Sequence, residues 1–127
     1  KISAAGIANL LPDERELIAE HIDTSHAAHR AYVQSIFNET TAHHQLKSFD
    51  HFYEAQCAWE DTMAASIARK LGEGPMVVVV GNGHIQYKYG VPDRAFDRTQ
   101  EPFRTVYLAA VGTQVDLGVA DYIWVTP

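Results

Sequence analysis

The sequence predicts an α/β fold, with a parallel or mixed sheet in a three-layer arrangement flanked by helices. Three observations point there. Segments of helical periodicity come first and strand-like segments follow. The run Met76-Val77-Val78-Val79-Val80 has no polar interruption, which is the pattern of a strand buried on both faces. That run stops at Gly81-Asn82-Gly83-His84, and residues just past the carboxyl end of a strand line the crevice where α/β proteins bind ligands.

The elements follow in order. Pro12-Asp13-Glu14-Arg15-Glu16 reads as a helix start, because proline suits the first turn and acidic residues favour the positive end of the helix dipole. Leu17, Ile18 and Ile22 give it a short apolar face. Asp23-Thr24-Ser25 offers cap residues for a second helix, with Tyr32, Val33, Ile36 and Phe37 as its buried stripe. Asn38 to Lys47 is polar and reads as a loop or a frayed end. A third helix is expected from about Ser48 to Leu71, with Phe52, Trp59, Met63 and Ile67 as a core stripe. Arg69 and Lys70 fall in its last turn, and Gly72 fits a C-cap. Gly74-Pro75 introduces the valine strand. Phe103 to Val111 and Tyr122 to Val125 read as two further strands joined by Gly112 to Asp121. Three strands and three helices are too few to cover both faces of a parallel sheet. The sheet is therefore expected to rely on a missing segment or on a second copy.

The chain has 127 residues, enough for one core, with a formal charge of -6 and a pI near 5.5. That acidity lacks the basic face of a nucleic-acid binder. No apolar run approaches the ~20 residues that span a bilayer. Cys57 stands alone and has no partner for an internal disulfide. The start at Lys1-Ile2-Ser3 reads as the interior of a longer polypeptide, so missing targeting signals carry no weight.

Four constellations could carry chemistry. In the first, Gly81-Asn82-Gly83-His84 places an imidazole and backbone N–H groups at the strand tip, suited to a ligand, an acid or base, or an anion. The plainer reading is a turn whose glycines take positive φ. The motif lacks the Gly-Lys-Ser/Thr of a P-loop and the third glycine of a dinucleotide fingerprint. In the second, Tyr87 and Tyr89 follow, and a phenol can coordinate ferric iron, as in catalase-type ligation. If His84 opens a helical turn, Tyr87 shares its face; if the segment is extended, Tyr87 and Tyr89 share a face and His84 points away. In the third, His21, His26, His29, His43, His44 and His51 precede the long helix without a recognisable zinc pattern, and read as solvated surface histidines. In the fourth, Gln56, Trp59 and Met63 share one face of the long helix. They could floor a flat apolar pocket with one amide aimed at a ligand; core packing is the favoured reading for Trp59 and Met63, whereas a buried Gln56 needs partners.

Taken together, Phe52-Tyr53-x-Ala55-Gln56-x-x-Trp59-x-Asp61-x-Met63-Ala64, the valine run, Gly81-Asn82-Gly83-His84-Ile85, Tyr87, Gly90-Val91-Pro92 and Ala120-Asp121-Tyr122-Ile123-Trp124-Val125-Thr126 resemble the ChaN-like haem-binding lipoprotein family, which is related to the erythromycin-esterase-like and TraB/TIKI-like proteins. The resemblance runs from about Ile2 to the end of the chain. It implies that residues 1–127 are the carboxyl-terminal half of the family's domain, since the Gly-Glu-x-His motif of the amino-terminal half is missing. It implies haem as cofactor and partner, with a tyrosine on the ferric iron and a histidine near the propionates. Carried onto this chain, the iron ligand is Tyr87, or alternatively Tyr89. His84 is the histidine, and Asn82 and Gln56 are further cofactor-binding residues. It also implies a homodimer or pairing with the missing half, and a place at the cell envelope, as a periplasmic protein or an outer-membrane lipoprotein anchored through a lipid outside this chain.

The function expected is thus haem or iron uptake or storage rather than catalysis. Two alternatives stand beside it. One is a hydrolase of the esterase or metal-dependent protease branch that uses His84. The other is an inert half-domain that self-associates.

Overall fold

A computed structural model of the chain describes residues 1–39, 48–72 and 74–127. It is mixed α/β, as the sequence predicts, and resolves into two compact units, Lys1–Thr62 and Met63–Pro127.

The first unit is helical. Two single-turn helices, α1 (Ile2–Ala5) and α2 (Pro12–Arg15), precede α3 (Ala27–Glu39) and the start of α4 (Phe49–Lys70). The acidic start of α2 works as expected: Glu14 accepts the Leu11 N–H at 2.8 Å and pairs with Lys1. The helix ends after one turn, however, and Leu17 is 77% exposed rather than part of an apolar face. The core is Val33, Tyr53 and Cys57, with Ile22, Tyr32, Phe49 and Phe52 packed against it. Phe37 joins through ring contacts at 5.5 Å to Phe49 and 5.2 Å to Phe52.

The buried stripe of α4 is Tyr53, Cys57, Glu60, Asp61 and Ala64. The spacing is helical, but the stripe is rotated from the expected Phe52–Trp59–Met63–Ile67 line, and Trp59 is 67% exposed. Two of its members are carboxylates, so an apolar pattern could not reveal it. His29 corrects another expectation. It is buried, not solvated, and its Nε2 lies 3.3 Å from Glu60 Oε2. Gln56 donates to the other Glu60 oxygen at 2.7 Å, and Tyr53 Oη sits 3.3 Å from His29 Nδ1. Asp61 accepts the Asp23 N–H at 2.9 Å. Burying these charges is tolerable only because each meets a partner. His26 holds α3 at its start, its Nδ1 accepting the His29 N–H at 3.0 Å. The expectations for His43, His44 and most of the Asn38–Lys47 loop lie outside the described residues.

The second unit holds the last turns of α4, a further helix α5 (Val91–Thr99), and two parallel strands, β1 (Val106–Ala110) and β2 (Tyr122–Thr126), in register Val106↔Tyr122 through Ala110↔Thr126. The expected elements include no helix at α5, although Gly90-Val91-Pro92 stands at its start. Proline in the first turn, followed by Asp93, is a helix start.

The valine strand is the main correction. Met76–Val80 forms no strand. Val77 and Val79 are 89% exposed, and the backbone of the run makes no hydrogen bond among the described residues. Apolar β-branched residues favour a strand, but a strand exists only where a neighbour completes its ladder. Here β1 and β2 complete one another. The face of this two-stranded sheet that carries Val106, Leu108, Tyr122 and Trp124 is exposed, whereas Ala109 on the other face is buried.

Candidate functional site

The segment after the valine run is neither of the two forms its sequence allowed. Asn82–His84 makes one 3₁₀ turn, and Gln86–Lys88 makes another with a break inside it. Tyr87 (φ 55°, ψ 12°) and Lys88 (φ 69°) both lie in the left-handed region. Gly81 has φ -64° and Gly83 does not enter the positive range. The expected division of labour is thus reversed: the motif glycines keep ordinary backbone, and the strained conformation falls on a tyrosine and a lysine. Such strain costs about 1–3 kcal/mol per residue and persists only where surroundings impose it.

The surroundings are the loop between the strands. The Tyr87 N–H donates to the carbonyl of buried Val119 at 2.8 Å. The Tyr87 hydroxyl donates to Asp116 Oδ2 at 3.2 Å, a contact at the exposed surface. Asp116 also folds its own loop, its Oδ1 accepting the Gly118 N–H at 3.0 Å. Lys88 pairs with Asp121 at 2.8 Å. Asp121 ties β2 to β1, accepting the Thr105 N–H at 2.8 Å and the Thr105 hydroxyl at 3.0 Å. The two sequential αL residues are therefore clamped by neighbouring ends of the same loop.

Two electrostatic consequences follow. Partial loss of solvation, then the hydrogen bond to Asp116 and its negative charge, raise the Tyr87 phenol above the ordinary tyrosine value. The Lys88 hydrogen bond, followed by that from the Thr105 backbone, lowers Asp121 to about 2.

The structure brings Tyr87 and Tyr89 together, with ring centroids 5.6 Å apart and planes tilted by 31°. His84 lies one turn earlier and is half-buried. Asn82 faces the sheet instead: its Nδ2 donates to the Leu108 carbonyl at 2.7 Å and its Oδ1 accepts the Leu108 N–H at 3.4 Å. Gln56 belongs to the first unit, where its amide is committed to Glu60. An apolar cleft of about 850 Å³ opens in the second unit, lined among others by Met76–Val80, Asn82, Ile85 and Leu108. His84, Tyr87 and Tyr89 are not among the described residues that line it. Sequence reasoning missed Asp116 and Val119, and quoted Asp121 within the family resemblance without giving it a role. Asp116-Leu117-Gly118 carries a recognisable Asx-turn signal, but nothing local ties it to a tyrosine 29 positions away.

The donor set suits a ferric porphyrin. A phenol at the surface can reach an iron, an adjacent aromatic ring offers an apolar face, and an imidazole stands one turn away. The phenol must lose its proton to bind iron, and Asp116 is the group placed beside that proton.

Comparison with known proteins gives one result. No curated protein and no solved structure matches the chain. A family model described as haem-binding uptake, Tiki superfamily, ChaN matches residues 1–95. The matched stretch includes Gln56, Asn82, His84, Tyr87 and Tyr89, and stops before β1, so the Ala120–Thr126 element stands outside it. With three quarters of its residues within that match, the chain belongs to the ChaN family of haem-binding uptake proteins in the Tiki superfamily.

Proposed function

We propose that this protein binds ferric haem for haem or iron uptake or storage, with Tyr87 as the axial ligand. The observation that carries the reading is the conformation of Tyr87. A left-handed tyrosine, pinned through its N–H to Val119, presents its hydroxyl at an exposed position. Strain of this kind gathers at ligand sites, and this tyrosine follows the motif histidine in a chain of a haem-binding family.

Each residue then has a role. Tyr87 supplies the phenolate oxygen, Asp116 accepts the hydroxyl's hydrogen bond in the haem-free state, and His84 serves the propionates. Tyr89 packs its ring against Tyr87 and is the alternative ligand. The bound cofactor supplies a ferric centre that a single phenolate favours in the oxidised state. A place at the cell envelope, a lipid anchor outside these residues and pairing of subunits belong to the same reading, and the family resemblance is what supports them.

Hemin titration tests it. The expected result is a saturable high-spin ferric spectrum with a charge-transfer band. Tyr87→Phe should remove that band and weaken binding at least about tenfold, a loss of roughly 1.4 kcal/mol, while Tyr89→Phe retains both. Retention of the band in Tyr87→Phe and its loss in Tyr89→Phe would reassign the ligand. No saturable change in the unaltered protein would end the proposal.

A further inference from the structure

The motif turn holds a dipeptide with chemistry of its own. The chain has three asparagines, Asn9, Asn38 and Asn82, and only Asn82 precedes a glycine. In an Asn-Gly pair no side chain shields the backbone nitrogen that follows, so that nitrogen can reach the asparagine side-chain carbon. Gly83 is exposed and stays out of the positive-φ range, and a Cβ built on it would meet nothing within 4 Å among the described residues. Packing and backbone conformation would thus admit alanine there. What glycine adds is an open nitrogen beside Asn82. Two restraints keep that nitrogen and the amide apart. Asn82 opens the 3₁₀ turn Asn82–His84, in which the His84 N–H donates to the Gly81 carbonyl and the Ile85 N–H to the Asn82 carbonyl, each at 3.0 Å. Ring closure needs the Asn82 ψ to leave the 3₁₀ range of about -20 to -30°. The amide is also docked on β1, where Nδ2 donates to the Leu108 carbonyl at 2.7 Å and Oδ1 accepts the Leu108 N–H at 3.4 Å. Both restraints must release before the ring can form, which makes the reactive geometry a locally opened state.

We propose that Asn82 is a deamidation site guarded by the turn and by the Leu108 contacts. The Gly83 nitrogen attacks Cγ of Asn82. The N–Cγ bond forms, the Cγ–Nδ2 bond breaks, and the Gly83 amide proton passes through solvent to the departing nitrogen, which leaves as ammonia. Water then opens the cyclic imide at either carbonyl and yields aspartate or isoaspartate. No oxidant or reductant takes part. The product cannot resume the old contact. The atom that leaves is the one that donates to Leu108, and a carboxylate oxygen in its place sets acceptor against acceptor at the Leu108 carbonyl. Isoaspartate also inserts a carbon into the main chain between Asn82 and Gly83, inside the turn that carries His84. Conversion therefore frees this part of β1 irreversibly and disturbs the motif turn. None of this requires a bound cofactor, so it stands apart from the haem reading.

Peptide mapping by mass spectrometry tests it, on the haem-free 127-residue protein incubated in warm, mildly alkaline buffer. Aspartate and isoaspartate products are separated against synthetic standards. Conversion is expected at Asn82, with Asn9 and Asn38 lagging far behind as internal references. It should run at least about tenfold faster in the guanidinium-unfolded chain than in the folded protein, because unfolding releases both restraints. Gly83→Ala, whose Cβ crowds the attacking nitrogen, should nearly abolish it in both states. Asn82→Asp stands in for one product, and its Leu108 amide should exchange hydrogen faster than in the unaltered protein. An Asn82 that stays intact in the unfolded chain, conversion no faster than at Asn9 or Asn38, or a Gly83→Ala chain that converts unhindered would each overturn the site. Equal rates in the folded and unfolded protein, or unchanged Leu108 exchange in Asn82→Asp, would overturn the guard. The unfolded arm needs no folded variant, so a Gly83→Ala protein that failed to fold would still decide the chemistry.

Discussion

Tyr87 donates a hydrogen bond to a carboxylate while holding a backbone conformation that few tyrosines adopt. The Asp116 charge stabilises the neutral phenol, so Asp116→Asn should lower the tyrosine pKa. An alkaline ultraviolet difference titration of the haem-free protein would read it, and Tyr87→Phe identifies the phenol that moved. Asp121 works in the other direction. Its carboxyl is held at about 2, against an ordinary 3.8, first by Lys88 and then by Thr105. A depressed folded value means that the stabilisation is fully present above about pH 4 and is lost as pH falls through about 2. Thermal melts should therefore show the unaltered protein more stable than Asp121→Asn at pH 5, with the difference closing between pH 4 and pH 2. A constant difference across that window would show that Asp121 acts through packing alone. Gly6 is a third local constraint. It has φ 84°, and a Cβ there would stand 3.0 Å from Glu54 Oε2, whose carboxylate accepts the Ile7 N–H. Gly6→Ala should destabilise the first unit by about 1 kcal/mol or more in urea unfolding.

Among the elements, α4 is organised by what it buries rather than by what its apolar residues suggest. Its stripe of Tyr53, Cys57, Glu60 and Ala64 holds a carboxylate with no exposed surface against His29. Removing one member of a buried pair leaves the other uncompensated. Glu60→Ala should therefore cost about 3–5 kcal/mol in urea unfolding, and Glu60→Gln, which can still bond His29 and Gln56, should cost less. Equal costs would show that the carboxylate itself, rather than the volume and hydrogen bonds that glutamine keeps, holds the pair together. The helix starts at Pro12 and after Ser25, and the end near Lys70, were legible because caps and dipole-favoured charges act over one turn and leave local signals. The strands at Val106–Ala110 and Tyr122–Thr126 were legible for a similar reason: β-branched and aromatic residues cluster there. Met76–Val80 misled because apolarity reports a preference for burial, whereas a strand is a relation between two backbones. The rotation of the α4 stripe was hidden because charged residues do not register as core. The motif histidine and tyrosines could be found from the sequence. The clamp that shapes them could not, since Asp116 and Val119 reach Tyr87 only through the fold.

For the whole molecule, two units carry two different kinds of business. The first buries a polar network of His29, Tyr53, Gln56 and Glu60. The second holds Tyr87 against Asp116, together with a sheet one of whose faces is exposed. A two-stranded parallel sheet with Val106, Leu108, Tyr122 and Trp124 exposed is far from the covered state in which parallel sheets occur. The Asn82 side chain closes part of that sheet's outer edge, its amide spanning both backbone groups of Leu108. Asn82→Ala would hand that donor and acceptor back to water, so hydrogen exchange at the Leu108 amide should quicken, and a residue outside the sheet thus sets how closed its margin is.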